Sequence, residues 1–152
     1  MPVITLETKI KANKEVVFDL ARSIDLHQLS TAKTKEEAIA GRTTGLMELG
    51  EEVTWRAKHF GIYQRLTSKM TELEKHDHFV DEMIKGIFKQ FRHEHQFKQI
   101  GDETIMIDVF DYTSPLGPLG RMADNLFLKK YMTLFLKERN EVIKEYAEKD
   151  NG

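Results

Sequence analysis

The short run His93-Glu94-His95, with Asp108 further along, carries most of the chemistry this chain could perform. On an extended strand two histidines separated by one residue point the same way, because successive side chains alternate between faces. Gly101-Asp102 reads as a two-residue turn, which pairs Ile100 with Glu103. That register sets His95 opposite Asp108, Phe97 opposite Met106, His93 opposite Phe110 and Phe91 opposite Tyr112. The shared face is mostly aromatic and apolar, so it is the inner one, and two histidines and an aspartate point inward. A turn at Phe60-Gly61 pairs His59 with Ile62, Ala57 with Gln64, Trp55 with Leu66 and Val53 with Ser68. His59 and Gln64 then line the mouth or wall of the same interior, beside Trp55. Buried polar groups need partners or water, so a cavity filled by solvent or ligand is the economical explanation.

Three chemistries are open to these histidines. His95–Asp108 could be a satisfied hydrogen-bonded pair near the core, a polar anchor for a ligand head group, or part of a catalytic or metal site. A His-x-His strand with His59 as third ligand resembles some zinc sites in outline. However, cysteine is absent, and the facing Phe91, Phe97, Met106 and Phe110 offer no ligand atoms, so no metal is expected. A His–Asp pair without an activated serine also lacks the third member of a triad, and Ser68 and Ser114 qualify only by type. Asp81 lies on the inner side with Phe79 and Met83 unless a bulge shifts the register near Lys85-Gly86. The remaining charges read as surface: His76 and His78 as solvent-exposed, Lys33, Lys35, Glu36 and Glu37 as a solvated stretch, and Lys129-Lys130 and Lys137-Glu138-Arg139 as helix-face pairing.

The elements that must hold these residues follow from periodicity. Val3–Lys11 alternates as a half-buried strand. Asn13 suits an N-cap for a helix through Arg22, and Ile24–Ser30 reads as a second short helix. Glu37–Gly41 could be a short strand. Glu52–His59, Ile62–Leu73, His78–Ile84, Phe88–Ile100 and Glu103–Tyr112 form a meander of hairpins, and so an antiparallel sheet. After the Ser114–Gly120 stretch with its two prolines, residues 119–149 contain good helix formers and no proline. They predict one helix of roughly thirty residues, about 45 Å long, whose first half is apolar on a wide arc from Leu126 to Leu136. A sheet that must bury one face, followed by one long helix, is an α+β solution with the helix lying in the sheet's concave side.

Composition bounds the rest. A chain of 152 residues supports one domain, 1–152. Its net charge of −2 argues against coating nucleic acid or anionic membrane as the main task. Without cysteine there are no disulfides, zinc ribbons or thiolate chemistry. The longest apolar runs are three residues, so no membrane span is expected, and the first ten residues do not resemble a secretory leader. A cytoplasmic location is expected.

This order of elements resembles the START-like (SRPBCC) superfamily with its helix-grip fold. Local sequence resembles a bacterial branch also found joined to sugar-nucleotide-epimerase-like proteins: Gly45-Leu46-Met47-Glu48-Leu49-Gly50-Glu51-Glu52-Val53-Thr54-Trp55-Arg56-Ala57-Lys58-His59-Phe60-Gly61, Phe79-Val80-Asp81-Glu82-Met83, Gly86-Ile87-Phe88 and His93-Glu94-His95-Gln96-Phe97. No epimerase partner is expected within this sequence, since no GxGxxG follows a strand. The resemblance implies a curved antiparallel sheet of six to seven strands around a long C-terminal helix, two short helices after the first strand, and an apolar ligand held between sheet and helix.

The expected function is binding of a small hydrophobic molecule in a pocket of several hundred cubic ångströms, about 300–1,000 Å³. The wall is expected from Trp55, Leu66, Met70, Phe79, Phe91, Phe97, Met106, Phe110 and Tyr112, closed by Leu128, Tyr131, Met132 and Phe135. His59, Gln64, His93, His95 and Asp108 would orient the ligand. No cofactor and no nucleic acid are expected, and the chain is taken as monomer or homodimer. Two alternatives stand beside this reading. One is an enzyme of the cyclase/aromatase or hydrolase type using the inward histidines. The other is a chaperone-like or protein-interaction module.

Overall fold

The computed structural model describes residues 2–59, 61–114, 117–123 and 127–151. The expected turn residue Phe60, Pro115-Leu116 and Leu126 lie outside the described residues. Strand β1 (Val3–Ile10) leads into helices α1 (Lys14–Ala21) and α2 (Ile24–Ser30) and a 3-10 turn at Ala32–Thr34. Six strands follow: β2 (Glu37–Gly41), β3 (Glu52–His59), β4 (Ile62–Glu74), β5 (His78–Lys85), β6 (Gln90–Ile100) and β7 (Glu103–Thr113). Helices α3 (Gly117–Ala123) and α4 (Lys129–Asn151) complete the chain. This is the helix-grip architecture expected from the sequence.

All pairings are antiparallel, and the seven strands run in the order β1-β7-β6-β5-β4-β3-β2. The first two strands therefore occupy opposite edges, and α1 and α2 carry the chain from one edge to the other. Both predicted hairpin registers hold, His95 facing Asp108 and Ala57 facing Gln64. The β4–β5 register shifts between Thr67 and Ser68 and between Met70 and Glu72; such bulges bend a strand and sharpen its twist. Asp81 nevertheless stays inward, level with Met70 on one side and His93 on the other.

Local signals act unevenly. Ser23 caps α2 by accepting the Leu26 N–H at 3.1 Å. Asn13 stands at the N-cap of α1, but its side chain makes no capping bond and only its carbonyl accepts, from Val16 and Val17. The helix expected over residues 119–149 is described as two helical segments, α3 of 7 residues and α4 of 23, with residues 127 and 128 in a wider π-type turn leading into α4 and 124–126 outside the described residues. At 1.5 Å per residue α4 is about 35 Å long, still enough to cross the sheet.

The interior divides into two apolar clusters. One gathers Phe18, Ile24, Phe79, Phe97, Met106 and Ile143 under α1 and the end of α4. The other gathers Ile4, Phe88, Phe91, Phe110, Tyr112 and Leu136 toward the start of α4. The polar residues of interest occupy the seam between them.

Candidate functional site

Strands β6 and β7 bury every second residue without a break from Phe91 to Phe97 and from Thr104 to Tyr112. That alternation turns His93, His95 and Asp108 into the seam. Asp108 is fully buried, a costly location for a carboxylate unless partners surround it. Its Oδ1 accepts from His93 Nε2 at 2.9 Å and its Oδ2 from Asn140 Nδ2 at 2.7 Å. Arg139 Nη1 lies 3.7 Å from Oδ1. His95 Nδ1 is 3.1 Å from the same oxygen and its Nε2 is 3.3 Å from Asp81 Oδ2, but neither contact has hydrogen-bond alignment. The expected His95–Asp108 pair is thus an ion-pair contact, and the aligned hydrogen bond comes from the diagonal neighbour His93. The two imidazoles stack at 3.8 Å, and His95 stacks in turn on Phe79 at 4.1 Å.

The charge states follow from this geometry. Burial would raise Asp108, but the hydrogen bond from His93 and the close contact and charge of both histidines hold it well below the usual carboxylate range. Burial and the neighbouring His95 push His93 down to about 4. For His95 burial opposes the charged form, yet Asp108 and Asp81 outweigh it and the pKa rises. A neutral His93 that donates Nε2–H to Asp108 keeps its lone pair on Nδ1, on the ring that lines the cavity described below. A carboxylate fixing the tautomer of an imidazole is the orienting half of a proton-transfer dyad.

A second polar group stands across the interior. His59 Nδ1 and Tyr131 Oη lie 2.6 Å apart, and His27 Nε2 lies 3.2 Å from Glu36 Oε2. The His27 ring also rests 4.5 Å from that of Trp55. Burial raises Glu36, but the charge and close approach of His27 bring it below its ordinary value. Burial lowers His59, and burial together with the Glu36 charge raises Tyr131. Tyr131 therefore stays protonated and shares one hydrogen bond with His59. Gln64 Oε1 is buried here with no hydrogen-bond partner, and Glu36 Oε2 keeps only its ion-pair contact with His27, without hydrogen-bond alignment.

Between the two groups lies a cavity of about 180 Å³. It is lined by Trp55, His59, Gln64, Leu66, Phe79 and Phe91, by His93, His95 and Phe110, and by Tyr131 and Phe135. Those eleven agree with the residues expected at the wall. Asp108 and Tyr112 do not: both are fully buried behind the lining, because Asp108 is drawn down onto Asn140 of α4 and Tyr112 packs into the second cluster. Phe97 and Met106 likewise belong to the first cluster. The volume is smaller than the several hundred cubic ångströms expected, because Met132 and Leu136 of α4, with Leu128 just before it, enter the space. His59 does not converge with His93 and His95. Three strand steps separate β3 from β6, roughly 14 Å, and the buried group of ligand atoms close enough to share an ion is His93, His95 and Asp108.

Sequence reasoning missed four contributors. Glu36 is not solvated surface: its side chain is 11% exposed and faces His27. Arg139 is buried, donates to the Ala21 carbonyl at 3.1 Å and neighbours Asp108. His27 and Asn140 were not distinguishable from ordinary helix residues. The usable signal for Arg139 and Asn140 was their position one helical turn beyond Leu136, on the stripe that continues to Ile143.

A family model described as polyketide cyclase/dehydrase and lipid transport matches residues 10–136. No curated protein matches the chain. Among solved structures, a protein of Thermus thermophilus superposes with a TM-score of 0.80 at 18% identity, covering 99% of this chain and 100% of that one. A START superfamily protein of Mycobacterium smegmatis gives 0.73 at 13% identity, with 97% of each chain covered. An aromatase/cyclase of Streptomyces sp. R1128 gives 0.69 at 13% identity, covering 99% of this chain and 96% of that one. At such identities these likenesses carry the fold alone.

Proposed function

The chain belongs to the polyketide cyclase/dehydrase and lipid transport family, and from that premise we propose that it binds a small, largely apolar molecule with polar groups at both ends. The observation that carries this reading is the buried Gln64 Oε1, which has no hydrogen-bond partner, beside the buried Glu36 carboxylate, at a cavity walled mainly by aromatic and aliphatic side chains. An unpaired buried acceptor costs about 1–3 kcal/mol, which a ligand hydroxyl or amine would recover. At the far end, His93 Nδ1 offers an acceptor, and His95, whose pKa Asp108 and Asp81 raise, gives the wall a positive edge when protonated. A cavity of about 150 Å³ accommodates a benzene ring, so 180 Å³ suits a single-ring or short-chain molecule as it stands. Met70 and Met132 in the lining supply the side-chain plasticity to admit something larger. Native mass spectrometry of freshly purified chain tests this. A co-purified small molecule that is lost in a Gln64→Leu, Glu36→Leu double variant with an unchanged melting temperature is the expected result. An empty protein that takes up no aromatic or acyl probe would overturn it.

A second reading rests on the His93–Asp108 hydrogen bond. A neutral imidazole oriented by a buried carboxylate and bordering the cavity is equipped to take a proton from a bound carbonyl compound. Catalysis by His93 predicts that His93→Gln lowers turnover about 10²–10⁴-fold while binding persists. Unchanged turnover would leave binding as the whole function.

A further inference from the structure

One end of the molecule collects features that neither the cavity nor the core uses. The β3–β4 and β5–β6 hairpins, α3 and the start of α4 all reach this end of the sheet, because β3, β5 and β7 finish there and β4, β6 and α4 begin there. On these turns Ile62, Tyr63, Ile84, Leu119, Met122 and Phe127 are each more than half exposed. The segments 58–65, 84–89 and 117–130 also carry seven Lys and Arg residues against one acid, Asp124, in a chain whose net charge is −2. Lys58, Arg65, Lys85, Lys89, Lys129 and Lys130 are exposed, and none forms an ion pair among the described residues. His59, Arg65, Ile87 and Leu128 from the same segments line the cavity, so its outer end opens within this surface.

We propose that this end is a docking surface for an anionic lipid bilayer, which brings the cavity mouth to the membrane. Apolar side chains on separate projecting turns suit a fluid apolar phase, whereas a folded protein partner would call for a continuous groove or pocket. Surrounding lysines lie at the level where anionic head groups would meet them, and Tyr63 has the amphipathic ring favoured at that boundary. Each basic residue near an anionic membrane contributes enough to change partitioning about fivefold. The near-zero net charge of the whole chain conceals this, since the compensating acids lie on the rest of the molecule.

The full chain is sedimented with vesicles of phosphatidylcholine alone and with vesicles of equal parts phosphatidylcholine and phosphatidylserine. Binding is read without any cavity ligand, so this test and the binding reading of the cavity fail separately. The expected result is pelleting with the anionic vesicles only, largely abolished near 1 M salt, where the Debye length is about 3 Å. Lys129→Gln with Lys130→Gln should weaken partitioning about 30-fold, two charges at about fivefold each. Phe127→Ser should weaken it about tenfold through lost apolar burial. Lys98→Gln, exposed at the opposite end, should change nothing, and matching thermal melts confirm that each variant is folded. Equal binding to both vesicle types, no binding to either, or rim variants that bind like the original chain would each overturn the proposal. A complex with an acidic protein that depends on Lys129 and Lys130, without vesicle binding, would instead give this face to a protein partner.

Discussion

Asp108 is the residue on which the interior turns, because it is surrounded by His93, His95, Asn140 and Arg139 without a water-exposed oxygen. Asp108→Asn removes the counter-charge of His95 and Arg139 and should cost about 3–5 kcal/mol, a drop in melting temperature on the order of 10 °C. Differential scanning calorimetry checks this. The histidines give a pH signature. His93 is held to about 4 in the fold against about 6.5 when unfolded. Between those values the unfolded chain takes up a proton that the folded chain refuses, so stability falls as pH drops through that window. Asp108, held below its ordinary value, adds a further loss at lower pH still. His95 works the other way: its raised pKa stabilises the fold below about 6.5 and that contribution fades as pH climbs through the folded value. Denaturant midpoints should therefore fall from about pH 6.5 to about pH 4.5, and fall less in His93→Gln. An equal fall in that variant would remove His93 as the cause. Inward histidines were legible from strand parity alone. Glu36 was not: Lys35 before it adopts a left-handed conformation, φ 54°, which redirects a polar stretch toward the interior, and no periodicity encodes that turn.

Among the elements, the hairpins that a two-residue turn closes were readable down to the register, since such a turn leaves one pairing. The β4–β5 pair was not, because its bulges lie mid-strand, and the β5–β6 connection is residues 86–89 where two residues were expected. Two glycines separate what a turn demands from what a close approach demands. Gly41 ends β2 at φ +72°, and a Cβ there would stand 2.2 Å from the Glu52 carbonyl oxygen, which accepts the Arg42 N–H. Gly101 has φ +62° with open space around it. Gly41→Ala should cost about 2–4 kcal/mol by strain plus displacement of β2. Gly101→Ala should cost only about 1–2 kcal/mol, the left-handed backbone alone. Urea midpoints that rank the two equally would remove the close contact as a determinant.

For the molecule as a whole, the cavity can be tested by filling it. Met132 is partly buried and lines the space from α4, so Met132→Trp should occupy it and abolish ligand uptake. With room already present the cost should stay under about 1.5 kcal/mol; a variant that folds and still takes up ligand would move the site elsewhere. Its modest size also explains why composition and face parity announced an interior with polar groups but not its volume, which α4 decides from across the domain. The sheet order has a consequence of another kind, in time. β1 leaves the ribosome long before β7, its one strand partner among the described residues. At roughly 5–20 residues per second the first strand waits about 5–20 s for its neighbour. Until then its unpaired backbone and the half-built concave face are open to other nascent chains, so the speed of translation, and whatever chaperone meets the emerging chain, should govern the yield of folded protein more than the stability of the finished one.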